Sequence, residues 1–204
     1  MNTMSGYLRQ AGTAIRFLLL ATIILGLLYP LAVFAAGQLA GPFQANGSIV
    51  KDPAGQSAGS ALIAQTAADE SGTQDQQWFH ARPSAVVWDP ASSSASNLGP
   101  NDAKLLEAVT THRAAIAATE GVRPQEVPAD AVTSSGSGLD PHISVDYATI
   151  QVPRVARAHG LETQDVQKLV DKQTSSGLEA FLSQPSVNVT LLNLDIARLA
   201  ANRG

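Results

Sequence analysis

The sequence contains no cysteine, which excludes a disulfide scaffold, a thiolate metal site and a cysteine nucleophile. Aromatic residues make up only 5% of the chain and charged residues only 15%. Basic residues are scarce as well: beyond Gly37 there are 11 Lys and Arg against 17 Asp and Glu, a formal charge of −6. No basic stripe interrupts this acidic balance, so the composition argues against a nucleic-acid partner.

The one long apolar stretch runs from Phe17 to Ala36 and holds no charged residue. A helix of about 20 apolar residues is what crossing the hydrocarbon core of a bilayer requires. Gly26 and Pro30 are tolerated in such helices, as a flexible point and a kink. We therefore predict a transmembrane helix over residues 17–37. Its predicted membrane-anchor residues are Phe17, Leu20, Ile24, Leu28, Pro30 and Phe34.

The charges beside this stretch predict its direction. Arg9 and Arg16 precede it, whereas the next charge after it is Lys51. By the positive-inside rule, residues 1–16 form a cytoplasmic stub and the rest of the chain is exported. The small residues Val33 and Ala35 would also suit a cleaved signal peptide. The apolar run is longer than the roughly 7–15 residues of a signal sequence, which favours a retained anchor.

Beyond the anchor, glycine, proline and turn signals divide the chain. Residues 38–59 are predicted to form a linker, 60–198 one extracytoplasmic domain, and 199–204 a frayed tail. Strands are predicted at 60–66, 78–82, 131–134 and 187–194, forming one small sheet. Three helices are predicted to cover that sheet, from near Asp102 to Gly121, over Val145–Ala158 with a kink or restart at Pro153, and from Thr163 to about Gln173. The predicted fold class is α+β: one N-terminal transmembrane helix followed by a small mixed α/β exported domain.

The segment Ser134–Ser144 is the most distinctive loop. Its glycines allow backbone conformations with positive φ, and its proline restrains the turn. The string Gly136-Ser137-Gly138 lacks the remainder of a phosphate-binding motif, so a structural turn is the better interpretation. We predict a structural and docking loop made of Gly136, Gly138, Leu139, Asp140, Pro141 and His142.

No catalytic, cofactor-binding or metal-binding constellation emerges from the sequence. Asp140 and His142 would suit the start of a metal site, but no further ligand lies at a suitable spacing, and turn or cap hydrogen bonds are favoured. Ser48 and Lys51 fit the S-x-x-K motif of penicillin-binding hydrolases, whose partner motifs S-D-N and K-T-G are missing. Two classes stay open at this point: a membrane-anchored exported hydrolase, and an anchored binding module.

Several blocks, in order along nearly the whole chain, resemble one family. After the anchor they are GSALIAQ, FHARPSA, SNLGPND, VTSSGSGLDPHIS, the segment Gln151 to Leu161 and VNVTLLNLD. In this order they resemble the C subunit of the Kdp-type potassium-transporting P-type ATPase. Two positions depart from the family pattern: Pro153 enters the fifth block, and Ser186 stands where the family usually has arginine.

The resemblance implies a non-catalytic accessory subunit of a high-affinity, ATP-driven potassium uptake complex in a bacterial cytoplasmic membrane. The expected partners are a channel-like, potassium-binding A subunit, an ATP-hydrolysing B subunit, a small single-helix F subunit and membrane lipid. ATP and potassium are expected to be handled by the complex, with no cofactor bound by this chain. The family also implies a role in assembly and in raising the ATP affinity of the pump subunit. The predicted topology places the domain opposite the nucleotide, which favours an indirect route for that effect.

Overall fold

The computed structural model describes residues 3–66, 68, 72–177 and 181–202. The chain divides into two compact units, Met1–Ser48 and Ile49–Gly204. Each unit is described by itself below.

The first unit is built around one long helix. It comprises α1 (Thr3–Ile23), a π-helical segment (Ile24–Leu28), α2 (Tyr29–Ala40) and the short α3 (Pro42–Ala45). Within the described residues, Met4–Ala40 is the one helix long and apolar enough to span a membrane. A proline ring crowds the carbonyl group of the preceding turn, and the wider π turn just before Pro30 makes room for it.

The second unit is a mixed helix and strand domain, as predicted. Its elements are β1 (Ile49–Lys51), β2 (Ser57–Ser60), α4 (Ala103–Glu120), a 3-10 turn (Pro124–Glu126), α5 (Ala129–Val132), β3 (His142–Ser144), α6 (Val145–Ala158), α7 (Thr163–Gln173), β4 (Ser186–Asn188) and α8 (Val189–Ala201). Strands β1 and β2 pair antiparallel, and β3 and β4 form a second antiparallel pair with Ile143 opposite Val187. The described strands therefore form two separate two-stranded sheets, so the single predicted sheet is wrong.

The three predicted helices are confirmed as α4, α6 and α7. Local signals set their ends: the Asp102 side chain accepts from Lys104 N at the start of α4, and Gly121 ends it with a left-handed φ of 70°. Ser144 caps α6 by accepting from Tyr147 N. Helix α6 does not restart at Pro153, which lies on its exposed side.

The predicted central strand at 187–194 is wrong. Strand β4 ends at Asn188, and α8 begins at the next residue. The Asn188 side chain accepts from Leu191 N and so caps the helix. Val189, Leu192 and Ile196 recur at helical spacing and are at most 1% exposed. Burial of this helical stripe outweighs the β preference of the branched residues. The tail predicted to fray from 199 is helical as far as Ala201.

The predicted strand at 78–82 is also wrong, because side-chain amides take the place of a neighbouring strand. Each amide oxygen accepts from a backbone N–H, and the amide nitrogen of the same side chain donates to the carbonyl of the same residue. The pairs are Asn193 with Phe79 (2.9 and 3.0 Å), Gln151 with His80 (2.6 and 3.3 Å), and Gln74 with Ala81 (2.8 and 3.2 Å). The backbone groups of Phe79, His80 and Ala81 are thus satisfied without a sheet ladder.

The remaining two strand predictions fail for similar local reasons. Strand β2 ends at Ser60, and the carbonyls of Ala61 and Ile63 accept from the side chains of Asn188 and Thr190 instead of a strand. Residues 131–134 include the end of α5, whose Ala131 and Val132 are 0% and 3% exposed. Residues 38–59, predicted as a linker, contain α3 and most of the β1–β2 hairpin.

The larger of two hydrophobic clusters forms the main core of the second unit. It lies where α6, α7, α8 and the β3–β4 pair meet, and it also contains Phe79 and residues of α4 and α5. Its least exposed large members, at 2% or less, are Tyr147, Phe79, Ile143, Leu192, Ile196, Val152, Val155, Val166, Val170, Val187 and Val189. This core fixes the first residues of α6 and of α8. The candidate loop, which leads into β3, lies between these two helix starts in space.

Candidate functional site

The loop Ser134–Ser144 is held in place by segments far away in sequence. The Ser84 hydroxyl donates to Gly138 O at 2.8 Å, and Ser94 N donates to Ser137 O at 3.0 Å. On the other side of the loop, Ala64 N donates to Leu139 O at 2.7 Å. These contacts fix the loop's main chain from two directions and leave parts of it exposed.

Gly138 is the glycine on which the loop geometry depends. Its φ is +72°, and an added Cβ would lie 2.6 Å from Val86 Cγ2 and 2.8 Å from Ser94 O. Gly136 differs, since its φ lies outside the left-handed region and an added Cβ would meet no atom within 4 Å. The close approach of residues 84–94 to the loop therefore needs a glycine at 138 but not at 136.

The turn beneath the loop has an unusual backbone. Val87 and Trp88 have φ values of 53° and 54°, a conformation that bulky side chains rarely adopt. The Ser84 hydroxyl accepts from Trp88 N at 3.0 Å, and Trp88 Nε1 donates to Arg82 O at 3.2 Å. Ser84 thus joins this strained turn to the loop, because the same hydroxyl donates to Gly138 O.

The loop's charged residues form a small cluster. Asp140 Oδ1 accepts from His142 N at 2.9 Å and lies 3.2 Å from His142 Nδ1, while Asp140 Oδ2 is 3.6 Å from Arg82 Nη1. Burial alone would raise the pKa of the Asp140 carboxyl, but the hydrogen bonds from His142 and the charges of His142 and Arg82 lower it overall. The carboxylate is therefore ionised at neutral pH and stiffens the turn.

The end of the loop is tied to the core. Asp130 accepts from both the backbone N and the hydroxyl of Ser144, each at 2.7 Å, and Ser144 in turn caps α6. Val189 N, at the start of α8, donates to Pro141 O at 2.8 Å. The starts of α6 and α8 are therefore both bonded to the loop. The fold of the domain thus sets the shape of this surface.

Two open grooves border the loop, and Asp140 and His142 line both of them. One, of about 500 Å³, is also lined by Leu62, Ser93 and Ser137. The other, of about 520 Å³, also contains the carboxylates of Asp130 and Asp146, the Arg82 guanidinium and residues 184–186. The exposed carboxylate of Asp146, the half-buried ones of Asp130 and Asp140, an imidazole and the 64% exposed Leu62 suit recognition of another surface. No group of three or more Asp, Glu or His residues within the described chain is placed to hold a metal ion.

Sequence reasoning missed a buried polar cluster centred on Arg154. Its Nε donates to both oxygens of Glu120 at 3.0 Å, its Nη1 to Trp78 O at 2.9 Å and to Gln76 O, and its Nη2 to Gln151 Oε1 at 2.9 Å. The Glu120 side chain is 1% exposed. Burial raises the pKa of this carboxyl, and the hydrogen bond and charge of Arg154 oppose the rise. Arg154 and Gln151 lie in the fifth block that carries the family resemblance, which was the available signal.

The predicted anchor residues all lie on the long first helix, exposed to their surroundings. Their exposed fractions range from 44% to 72% for Phe17, Leu20, Ile24, Leu28 and Phe34, and Pro30 is exposed as well. An apolar helix with apolar residues on every side suits a lipid environment.

The described residues thus define a class of protein with one helix able to span a membrane and a mixed α+β domain that carries a loop-centred surface. Residues 11–198 match the family described as K+-transporting ATPase, c chain, so the chain belongs to the KdpC family. A potassium-transporting ATPase KdpC subunit from Kineococcus radiotolerans is 49% identical over 199 residues, which cover 97% of both chains. Subunits of the same name from Caulobacter vibrioides and Pseudomonas putida are 48% and 42% identical over 177 and 201 residues, or 85% and 98% of this chain and 85% and 100% of theirs.

Proposed function

We propose that this chain is a non-catalytic accessory subunit of a high-affinity, ATP-driven potassium uptake complex. The observation that carries the proposal is the family match over residues 11–198, which includes both the apolar helix and the domain. Its partners in the proposal are a channel-like A subunit that binds potassium, a B subunit that hydrolyses ATP, and a small F subunit. ATP and potassium are handled by those partners.

In the proposed arrangement, the first helix crosses the bacterial cytoplasmic membrane once with its N-terminus in the cytoplasm. Arg9 and Arg16 before the apolar run support this direction. The domain is then on the extracytoplasmic side, where tethering keeps it at high effective concentration beside its partners. An increase in the pump's ATP affinity would reach the nucleotide indirectly, through different contacts with two pump states.

The surface proposed for docking is the loop Ser134–Ser144 with its two grooves. Contacts from residues 64, 84, 94 and 189 hold this surface in one shape. A pre-ordered surface loses little conformational entropy on binding, which favours assembly. Leu62 stands at the edge of one groove with 64% of its surface exposed, and so supplies an apolar contact without contributing to the core.

The test compares two equally radical substitutions at exposed leucines. Leu62→Arg places a charge in the groove, whereas Leu106→Arg does so on α4, where Leu106 is 70% exposed. Both variants should melt like the wild type. In a strain whose other potassium uptake systems are disabled, Leu62→Arg should fail to restore growth at scarce potassium and Leu106→Arg should restore it.

Two results would count against the proposal at different levels. If deletion of the gene leaves growth at scarce potassium unchanged, the assigned function is wrong. If deletion abolishes that growth but Leu62→Arg restores it as well as Leu106→Arg, the function stands and the docking surface is wrong.

A further inference from the structure

The first unit does not end as a bare helix. Helix α2 stops at Ala40, Gly41 breaks it with φ and ψ of −155° and 71°, and α3 turns back. We call residues 37–48 the exit elbow. Helix α3 lies close to α2, since a Cβ added to Gly37 would be in ordinary van der Waals contact with Ala45 Cβ, at 3.5 Å. The elbow belongs to the same compact unit as the apolar helix.

The polar side chains of the exit elbow are paired with each other. Gln38 Nε2 donates to Asn46 Oδ1 at 3.2 Å, and Asn46 Nδ2 donates to Gln38 Oε1 at 3.1 Å. Asn46 Nδ2 also donates to Pro42 O at 2.6 Å. The two amides are thus paired with each other without water, although they lie on the surface.

Part of the backbone of the exit elbow is also paired internally. Its last four N–H groups, those of residues 45–48, donate to the carbonyls of residues 41–44 at 2.9 to 3.1 Å. Pairing of polar groups within a segment lowers the cost of placing that segment where water is scarce.

Two large apolar side chains of the elbow are exposed. Leu39 is 88% exposed, more than any other large apolar residue described, and Phe43 is 49% exposed. No charged residue lies between Arg16 and Lys51. Exposed large apolar side chains beside paired amides, with no charge nearby, suit the boundary between lipid tails and water, where interfacial helices bury Phe and Leu side chains.

We propose that the exit elbow lies in the interfacial layer of the membrane, with Leu39 and Phe43 in contact with lipid. Residues 17–36 account for a hydrocarbon core about 30 Å thick, and the headgroup layer adds about 5–8 Å on each side. Residues 37–40 rise about 6 Å along the helix axis, so α3 turns back within that layer. This inference rests on the proposed membrane-spanning helix and extends it to a second, lateral contact with lipid.

Tryptophan fluorescence in vesicles of phosphatidylcholine and phosphatidylglycerol tests the inference on the full-length protein. Phe43→Trp reports on the elbow, Ile23→Trp on the middle of the membrane, and Leu106→Trp on the aqueous surface. The unsubstituted chain supplies the background of Trp78 and Trp88. The Phe43→Trp signal should be lost most strongly with lipids brominated near the headgroup, and the Ile23→Trp signal with lipids brominated near the chain ends. Aqueous iodide should quench only Leu106→Trp beyond the background.

The amide pair provides a matched comparison within the elbow. Gln38→Ala removes the partner of Asn46, whereas Gln44→Ala removes an amide outside the pair. With the Phe43→Trp probe, Gln38→Ala should reduce bromolipid quenching and increase iodide quenching, and Gln44→Ala should change neither. If the two variants show the same bromolipid and iodide quenching, the amide pair does not hold the elbow in the interfacial layer, and the inference fails.

Other outcomes distinguish this inference from the proposed function. If iodide quenches Phe43→Trp as strongly as Leu106→Trp while Ile23→Trp is quenched by bromolipid, the helix spans the membrane but the elbow inference is overturned. Shielding of Phe43→Trp only in the assembled complex would also overturn it, since a partner subunit would then cover the elbow. Absence of bromolipid quenching at Ile23→Trp would instead contradict the membrane span itself.

Discussion

Gly138 shows how one backbone conformation shapes a surface. Its positive φ and its close approach to Ser94 O leave no room for a side chain. Gly138→Ala should therefore lower the free energy of unfolding by about 2–4 kcal/mol, through a left-handed backbone penalty and local overpacking. Gly136→Ala is the matched control and should be close to neutral. Urea denaturation of both variants measures the difference, and equal stabilities would show that the loop tolerates a Cβ at either position.

His80 is a residue whose buried neutral form makes stability depend on pH. Burial and the nearby charge of Arg154 lower the pKa of its imidazole from 6.5 to about 4. Between these two values the unfolded chain therefore binds more protons than the folded one. The free energy of unfolding falls as the pH drops from 6.5 to about 4, and the contribution of neutral His80 is complete above pH 6.5. A shift of this size corresponds to about 3 kcal/mol.

The pH prediction is tested by difference, because other groups titrate nearby. Unfolding free energies of the wild type and of His80→Gln should be measured from pH 7 down to pH 4. The wild type should lose about 3 kcal/mol more than the variant over this range. Parallel curves would mean that His80 does not titrate between these values.

At the scale of secondary-structure elements, helix side chains complete the segment 78–82. Gln151, which is 0% exposed, satisfies both backbone groups of His80 and also accepts from Arg154. Gln151→Met keeps the length and burial of the side chain but leaves these groups without partners. It should lower the free energy of unfolding by about 2–5 kcal/mol, at about 1–3 kcal/mol for each buried group. The same change at the exposed Gln164 of α7 should have little effect. Thermal and urea unfolding will decide, and similar losses at the two positions would refute the role of the amide.

The same elements explain what the sequence can predict. Helices α6 and α7 follow from local signals, namely a serine cap, a glycine after the helix and apolar residues at helical spacing. The conformation of 78–82 depends on Gln151 and Asn193, which are 71 and 114 residues away from their partners, so no local pattern reveals it. Helix α8 was missed because β-branched residues suggested a strand, although the cap at Asn188 and the spacing of Val189, Leu192 and Ile196 were available.

The candidate loop was predictable only in part. Glycine, proline and serine in Ser134–Ser144 indicated a constrained turn, and the positive φ of Gly138 agrees with that prediction. The contacts from Ser84 and Ser94 that set its shape come from a segment about 50 residues earlier. Their partners are backbone carbonyls, which leave no pattern in the sequence. Whether the loop docks a partner stays a prediction for the experiment at Leu62.

For the whole molecule, the direction of the chain across the membrane is the first prediction. The sequence has no cysteine, so single cysteines can be placed without background. In intact cells Ser5→Cys should be shielded from an impermeant thiol reagent, while Glu107→Cys on α4 should react once the outer barrier is permeable to the reagent. After lysis both should react. The reverse pattern would place the domain in the cytoplasm, where direct contact with the nucleotide becomes feasible.

The central claim is that the chain acts as a subunit and not alone. Purification of the tagged full-length protein from its native membrane in mild detergent, followed by mass spectrometry and an ATPase assay, tests this most directly. The account predicts that a potassium-binding A subunit and a P-type ATPase B subunit co-purify with it, and that ATP hydrolysis is found with the complex but not with the isolated chain. Recovery of the chain without these partners, or ATP hydrolysis by the isolated chain at a rate comparable to the complex, would contradict it.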